Sequence, residues 1–283
     1  MRVLIVGASG MIGRHLLRDL PVIDPAIDVI GTYNSHPMPQ GIAMDITDID
    51  SISRGIAESR ADAILWLAGS KDVAALERAP DLSVNLNDRP IANLISLLST
   101  SSKRSRLIYI SSDYVFPGQQ GRYRDCDSLA PDTVYGRSKQ RAEQLIGEAL
   151  PESTALRTSA VMSSQGGFLA WLTSELQSGN AVTLFDNTAF SPTPPLYLSR
   201  AIAGLLRDES LSGPLNFAGP RTTRYAFGRR VCEMFGFSPT LIQPAQVDFA
   251  KSLLKPDLSL LTSDSLLAYA PSSLDAFAPE TCS

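Results

Sequence analysis

The sequence predicts an α/β fold, a doubly wound parallel sheet with a smaller C-terminal lobe laid over it. Three observations predict this. Short apolar runs alternate with amphipathic segments through the first half, and a glycine-rich turn joins the first run to the first helix. Beyond about Gly166 the texture changes to proline-rich loop, short strands and weakly periodic sequence. Strand–helix alternation at this spacing is the pattern of a parallel sheet covered on both faces.

The elements follow in order. "RVLIVG" is an unbroken apolar run of strand length, and "MIGRHLLRDL" carries Ile12, Leu16, Leu17 and Leu20 on one helical side. Further strands are read in "IDVIGTY", "ADAILWLAG" and "SRLIYISS", with helices over residues 51–59 and 88–98 between them. A helix from residue 133 to about 149 leads to the strand "STALRTSAV". In the second half "GGFLAWLTSELQSG" reads as helix, "FDNTAFSPTPPLY" as proline-rich loop and "GPLNFAGP" as a short strand between turns. The expected division is a first domain over residues 1–160 and a lobe over residues 161–283, with no flexible linker between them.

Composition narrows the classes. A chain of 283 residues with 44% apolar and 19% charged residues can bury a sizeable core, and its net charge of -4 argues against general binding to nucleic acid. No apolar run approaches the ~18–20 residues that span a bilayer. A first strand at Arg2 predicts a chain without a signal or transit peptide. Cys126, Cys232 and Cys282 are odd in number and far apart, so free thiols in a reducing cytoplasm are expected. With His15 and His36 the only histidines, a zinc site or a Ser-His-Asp hydrolase has few candidate residues, and no metal is expected.

"VLIVGASGMIGRHLL" sets Gly7, Gly10 and Gly13 in a GxxGxxG pattern between strand and helix. Glycine lets the backbone approach a pyrophosphate closely, and the helix N-terminus offers free N–H groups and the positive end of its dipole. Ser9, Met11 and Ile12 lie between these glycines and complete the expected cofactor-binding turn. A Walker loop is disfavoured, because Arg14 and His15 stand where Lys and Ser/Thr are needed. The second strand ends "GTYNSHP" without the carboxylate that would take the ribose hydroxyls of NAD, while Asn34, Ser35 and His36 can donate to a 2′-phosphate. The expectation is NADP(H) in preference to NAD(H). Asp45 and Ile46 either line the adenine or are a capping carboxylate beside a core residue.

"YISSDYVFPG" ends a buried strand in two hydroxyls and a carboxylate, which is either capping or the edge of a reaction site. Tyr135 and Lys139 decide between them. They stand four apart in "DTVYGRSKQRAEQL", on one face of a helix. A phenol is ordinarily too weak an acid at neutral pH, with a pKa near ~10. A neighbouring ammonium and a cationic nicotinamide are expected to lower it, so that Tyr135 protonates a developing alkoxide while Ser112 hydrogen-bonds the same oxygen. Lys139 is also expected to hold the nicotinamide ribose.

With these residues in place, "GASGMIGRHL", "MDITD", "SSDYVFPG", "YGRSK", "LRTSAV", "SPTPPLYLSRAI" and "NFAGP" occur in the order of one family across essentially the whole chain. The sequence resembles the extended short-chain dehydrogenase/reductases and, more narrowly, the dTDP-4-dehydrorhamnose reductases. The resemblance implies a Rossmann-type fold, a catalytic set of Ser112, Tyr135 and Lys139, and reduction of the 4-keto group of a nucleotide-linked deoxysugar. It implies that Leu67, Ala68 and Ser70 border the cofactor, with Asn87 on the following helix, and that Asp113, Tyr114, Val115 and Pro192 face the substrate. Two positions depart from the family: Ala160 replaces an aromatic residue, and Lys71 stands where a small hydroxyl is expected. Both are substrate-contact positions in the family. The alternatives are a reductase of a non-sugar carbonyl and a non-catalytic NADP-binding regulatory subunit of the same fold. A homodimer is one allowed assembly.

Overall fold

The computed structural model describes residues 1–279. Cys282 lies outside the described residues. In chain order the elements are β1 (Arg2–Val6), α1 (Met11–Ile23), β2 (Asp28–Tyr33), β3 (Ile42–Ala43), α2 (Ile49–Ser59) and β4 (Ala63–Trp66). Then come α3 (Val73–Arg78), α4 (Pro80–Ser83), a π-helical turn (Val84–Asp88), α5 (Arg89–Thr100), β5 (Arg106–Ser112), α6 (Val134–Ala149) and β6 (Thr154–Thr158). The remainder comprises α7 (Phe168–Gln177), β7 (Val182–Phe185), β8 (Ala189–Phe190), α8 (Pro195–Arg207), β9 (Gly213–Phe217), β10 (Thr222–Thr223), α9 (Arg224–Phe235) and β11 (Ile242–Ala245).

Seven parallel strands form one sheet in the order β3-β2-β1-β4-β5-β6-β9. Its strands read as continuous apolar runs because both faces are covered, and alternation assigns residues to the two sides. Val3, Ile5, Leu65, Ile108 and Ile110 pack on one side with Leu16 and Leu20 of α1 and Leu198, Ile202 and Leu206 of α8. Leu4, Val6, Ile64, Trp66, Leu107 and Tyr109 pack on the other with Ile52, Ile91, Leu94, Ala142 and Ile146. The strand order reverses beside β1, so the carboxyl edges of β1, β4 and β5 open onto the crevice where such sheets bind ligands.

The sheet does not close at residue 160. β9 pairs with β6, and α8 packs against α1, so residues 195–217 return to the sheet layer. The proline-rich stretch is likewise not all loop. It contains β8, and α8 begins at Pro195 within it, a residue whose fixed φ and missing N–H suit a first helical turn. The lobe has its own core of Leu169, Leu172, Val182, Leu184, Phe190, Phe227 and Val231. Among the described residues, no helix is long and apolar enough to cross a membrane.

Candidate active site

The turn after β1 is built for close approach. Gly7 has φ +89°, and a β-carbon there would stand 2.9 Å from the Ala68 nitrogen. At Gly13 a β-carbon would meet the Ala8 backbone at 2.5 Å, so this glycine lets α1 pack on the turn. Gly10 differs: a β-carbon there would meet only the Gly7 carbonyl, at 3.3 Å, with its other side open. Gly10 is the N-cap of α1, which has no side-chain cap and no acid in its first turn. Free N–H groups and the dipole's positive end therefore face outward, as a phosphate would need.

A cavity of about 230 Å³ runs from this turn along the sheet edge, walled by Gly7, Ser9, Asn34, Asp45, Ile46, Ala68 and Ser70 among others. It brings together most of the expected cofactor residues. Met11 lies against Gly166, and Ile12 and Leu67 pack on the sheet core, so these three support the turn and are not among its wall residues. His36 is exposed, its ring bonded to the Ser35 hydroxyl at 3.0 Å, and does not line the cavity. Asp45 lines the cavity but does not cap a helix: its carboxylate ties the turn by accepting from the Thr47 N–H at 2.8 Å and hydroxyl at 2.7 Å, and α2 is capped by Asp48, which accepts from the Asp50 N–H at 3.0 Å. Asn87, in the π-helical turn, accepts from the Ser70 N–H at 2.7 Å and donates to the Ser70 carbonyl at 3.1 Å and the Ser138 hydroxyl at 3.2 Å. It clamps the cavity wall to α6.

The end of β5 sends its two serines opposite ways, as a strand must. The Ser111 hydroxyl donates to Glu143, which forms a buried, bidentate pair with Arg157 at 2.7–3.1 Å. Ser112 turns to a second cavity, of about 250 Å³, whose wall includes Ser112, Asp113, Tyr114, Tyr135, Lys71 and Ala160. The Ser112 hydroxyl donates to Asp113 at 2.9 Å and shares this wall with the Tyr135 phenol. The Tyr114 and Tyr135 rings meet edge to face, with centroids 5.7 Å apart. Capping and reaction site coexist here, since Ser112 Oγ also accepts from the Tyr114 N–H at 3.3 Å.

The electrostatics differ from the sequence expectation in one respect. Lys139 donates to the Ile110 carbonyl at 3.0 Å, with its ammonium 4.5 Å from the Tyr109 ring centroid and 5.8 Å from that of Tyr135. In the protein alone it does not lower the Tyr135 pKa. Burial instead pushes the Tyr135 phenol well above its ordinary value, partly opposed by the polar Ser112 side chain. Burial also draws Lys139 down to about 8, against the attraction of Glu143. Asp113 is raised to about 6 by burial, which outweighs hydrogen bonds from Ser159, Ser112 and the Tyr114 backbone.

Of the expected substrate residues, Lys71, Asp113, Tyr114 and Ala160 meet at this cavity. Val115 does not: it is fully buried against Phe116, Tyr123 and Leu260. Nor does Pro192, a buried residue whose carbonyl backs onto Gly219. Ala160 has φ +31°, a conformation uncommon for a residue with a side chain, and it is held there at the cavity edge. Sequence reasoning missed Arg224, Thr188 and Lys255, which complete the wall from the lobe. No local motif marks them. The Glu143 pair had a visible signal, because Glu143 continues the i, i+4 series from Tyr135 and Lys139.

The family model described as RmlD substrate binding domain matches residues 1–280. The chain belongs to this family. It is 29% identical over 276 residues to the probable low-salt glycan biosynthesis reductase Agl14 of Haloferax volcanii, covering 92% of this chain and 89% of the other. It is 28% identical over 271 residues to a dTDP-4-dehydrorhamnose reductase of Streptomyces griseus, covering 92% and 85%. A solved structure described as a hypothetical dTDP-4-dehydrorhamnose reductase from Sulfolobus tokodaii superposes with a TM-score of 0.83 at 28% identity, over 98% of this chain and 99% of that one.

Proposed function

We propose that this RmlD-family chain is an NAD(P)H-dependent reductase of a nucleotide-linked keto sugar, acting at the 4-keto group of a deoxysugar. The observation that carries the reading is that Ser112 and Tyr135 share one cavity wall, beside the glycine-turn groove at the carboxyl edge of the sheet. Relatives named as reductases of such sugars support the substrate class. An intact Ser112, Tyr135 and Lys139 set favours this over a non-catalytic regulatory subunit.

The groove fits a dinucleotide. Gly10 leaves room that any side chain would fill, above an uncapped helix end. The groove wall at the end of β2 carries Thr32, Tyr33 and Asn34 and no carboxylate, which favours NADPH over NADH. When bound, the reduced nicotinamide supplies hydride to the carbonyl carbon. The residues of this chain manage the oxygen. Ser112 reorients its hydroxyl from Asp113 to the carbonyl oxygen and polarises it. Tyr135 holds its proton firmly while the carbonyl is intact, because burial keeps the phenol neutral, and releases it to the alkoxide, a far stronger base than phenolate. Lys139, whose ammonium lies 5.8 Å from the Tyr135 ring centroid, would hold the nicotinamide ribose.

Incubation with NADPH and nucleotide-linked 4-keto sugars tests the reading. The expected product is heavier by two hydrogens, formed in step with loss of reduced-nicotinamide absorbance. No product from any keto sugar in such a panel would defeat it.

A further inference from the structure

The lobe side of the second cavity carries a guanidinium with unusual company. Arg224 opens α9, and its helix end is already capped by Thr223, whose hydroxyl accepts from the Ala226 N–H at 3.1 Å. The Arg224 guanidinium lies 4.8 Å from the Phe168 ring centroid and 5.0 Å from that of Phe190. Aromatic faces attract the charge and fix the plane of the group, but they do not accept its five edge N–H donors. Among the described residues, none is recorded as a hydrogen-bond acceptor or ion-pair partner of Arg224. Burial lowers its pKa, so keeping it charged there opposes folding. Arg157 shows the contrast, since its guanidinium is matched to Glu143 at 2.7 Å.

Two further groups share this wall. Thr188 Oγ1 is buried with no hydrogen-bond partner among the described residues. Lys71 reaches the cavity from the loop between β4 and α3, on the sheet side, and has no recorded hydrogen bond or ion pair among the described residues. The third cation, Lys255, is already paired with Asp132. Asp113, the acid in this wall, is raised only to about 6 and is mostly ionised at neutral pH; it attracts the Arg224 guanidinium through space without a hydrogen bond to it. An Arg whose N–H donors lack an acceptor, a Lys without an ion pair and a buried hydroxyl without a partner therefore face one cavity from both sides of the crevice.

We propose that this cavity recognises an acidic substituent on the sugar ring itself, a carboxylate received by Arg224 with Thr188 and Lys71. This rests on the reductase reading and specifies its substrate. At about 250 Å³ the cavity has room for one ring but not for a nucleoside diphosphate as well. Its unmatched donors share that volume with Ser112 and Tyr135, so the anion lies within a ring's width of the reacting carbonyl. Arg224 offers the planar, two-pronged donor geometry that carboxylates prefer. Ala160, small where the family has an aromatic, leaves volume for the added group.

Calorimetric titration with dTDP-glucose and dTDP-glucuronate tests this without turnover, because both carry a hydroxyl at C4. Wild type should bind the glucuronate at least about tenfold more tightly, a charge-assisted pair's worth. Arg224→Gln should abolish that preference while leaving dTDP-glucose affinity within about threefold, and Arg224→Lys should restore part of it. Lys71→Gln, at an exposed position, should reduce the preference without touching the fold. Equal wild-type affinity for the two sugars overturns the proposal. So does an Arg224→Gln loss that is the same for both, which would put the guanidinium on the carrier phosphate. Failure of both sugars to bind would reject the sugar-nucleotide reading itself.

Discussion

Gly10→Ala and Gly13→Ala should separate two uses of glycine in one turn. At Gly13 the added methyl would lie 2.5 Å from the Ala8 Cα and 2.7 Å from the carbonyl oxygens of Gly7 and Ala8. Carbon atoms pack at roughly 3.5–4.0 Å, so about 1 Å of overlap must be relieved by moving α1 off the turn. Overpacking of this kind costs about 1–3 kcal/mol, and at roughly 2–4 °C per kcal/mol the melting temperature should fall by about 2–12 °C. At Gly10 the methyl would meet only the Gly7 carbonyl, at 3.3 Å, and φ -72°, ψ 168° suits any residue. Stability should therefore change by no more than about 1 kcal/mol. The methyl would nonetheless cover the first N–H groups of α1, and NADPH affinity should drop at least about tenfold. Thermal unfolding by circular dichroism and NADPH titration by fluorescence give the two readouts. Normal NADPH binding by Gly10→Ala would refute the assignment of this groove, whatever its melting temperature.

The remaining predictions concern charge. Lys139 is drawn down to about 8, so kcat/KM, which reports the free enzyme, should fall as pH rises through that value and the ammonium loses its proton. A rate profile that stays level there would show that the ammonium is not needed. Glu143→Ala strips Arg157 of its buried partner and should destabilise the fold by about 3–5 kcal/mol, read as a lowered denaturation midpoint in urea. A midpoint near wild type would mean that the hydrogen bond Arg157 already donates to the Asp125 carbonyl, at 3.0 Å, is enough to hold it.

The sheet was legible because its strands are apolar on both faces, and the glycine turn because its spacing follows from close approach. β9 was harder. "GPLNF" is short and bounded by proline and glycine, and its place beside β6 depends on pairing Gly213 with Thr154, which no local pattern announces. Pro194 and Pro195 hid the start of α8, since the same residue opens helices and loops. At the site, Ser112 and Tyr135 were readable from a strand end and a helix face. The direction of the Lys139 side chain was not, because it depends on reaching the Ile110 carbonyl across the packed sheet. Arg224 and Thr188 belong to the lobe, and only tertiary folding carries them to the same cavity.

The central claim is that Tyr135 protonates a carbonyl oxygen in an NADPH-loaded site. It is tested most directly by comparing wild type and Tyr135→Phe for NADPH consumption with a nucleotide-linked 4-keto sugar, after matching their NADPH dissociation constants. The account predicts equal cofactor affinity and a loss of turnover of about 100-fold or more, the scale of a positioned acid. Undiminished turnover by Tyr135→Phe would contradict it and move the proton donor elsewhere in the cavity.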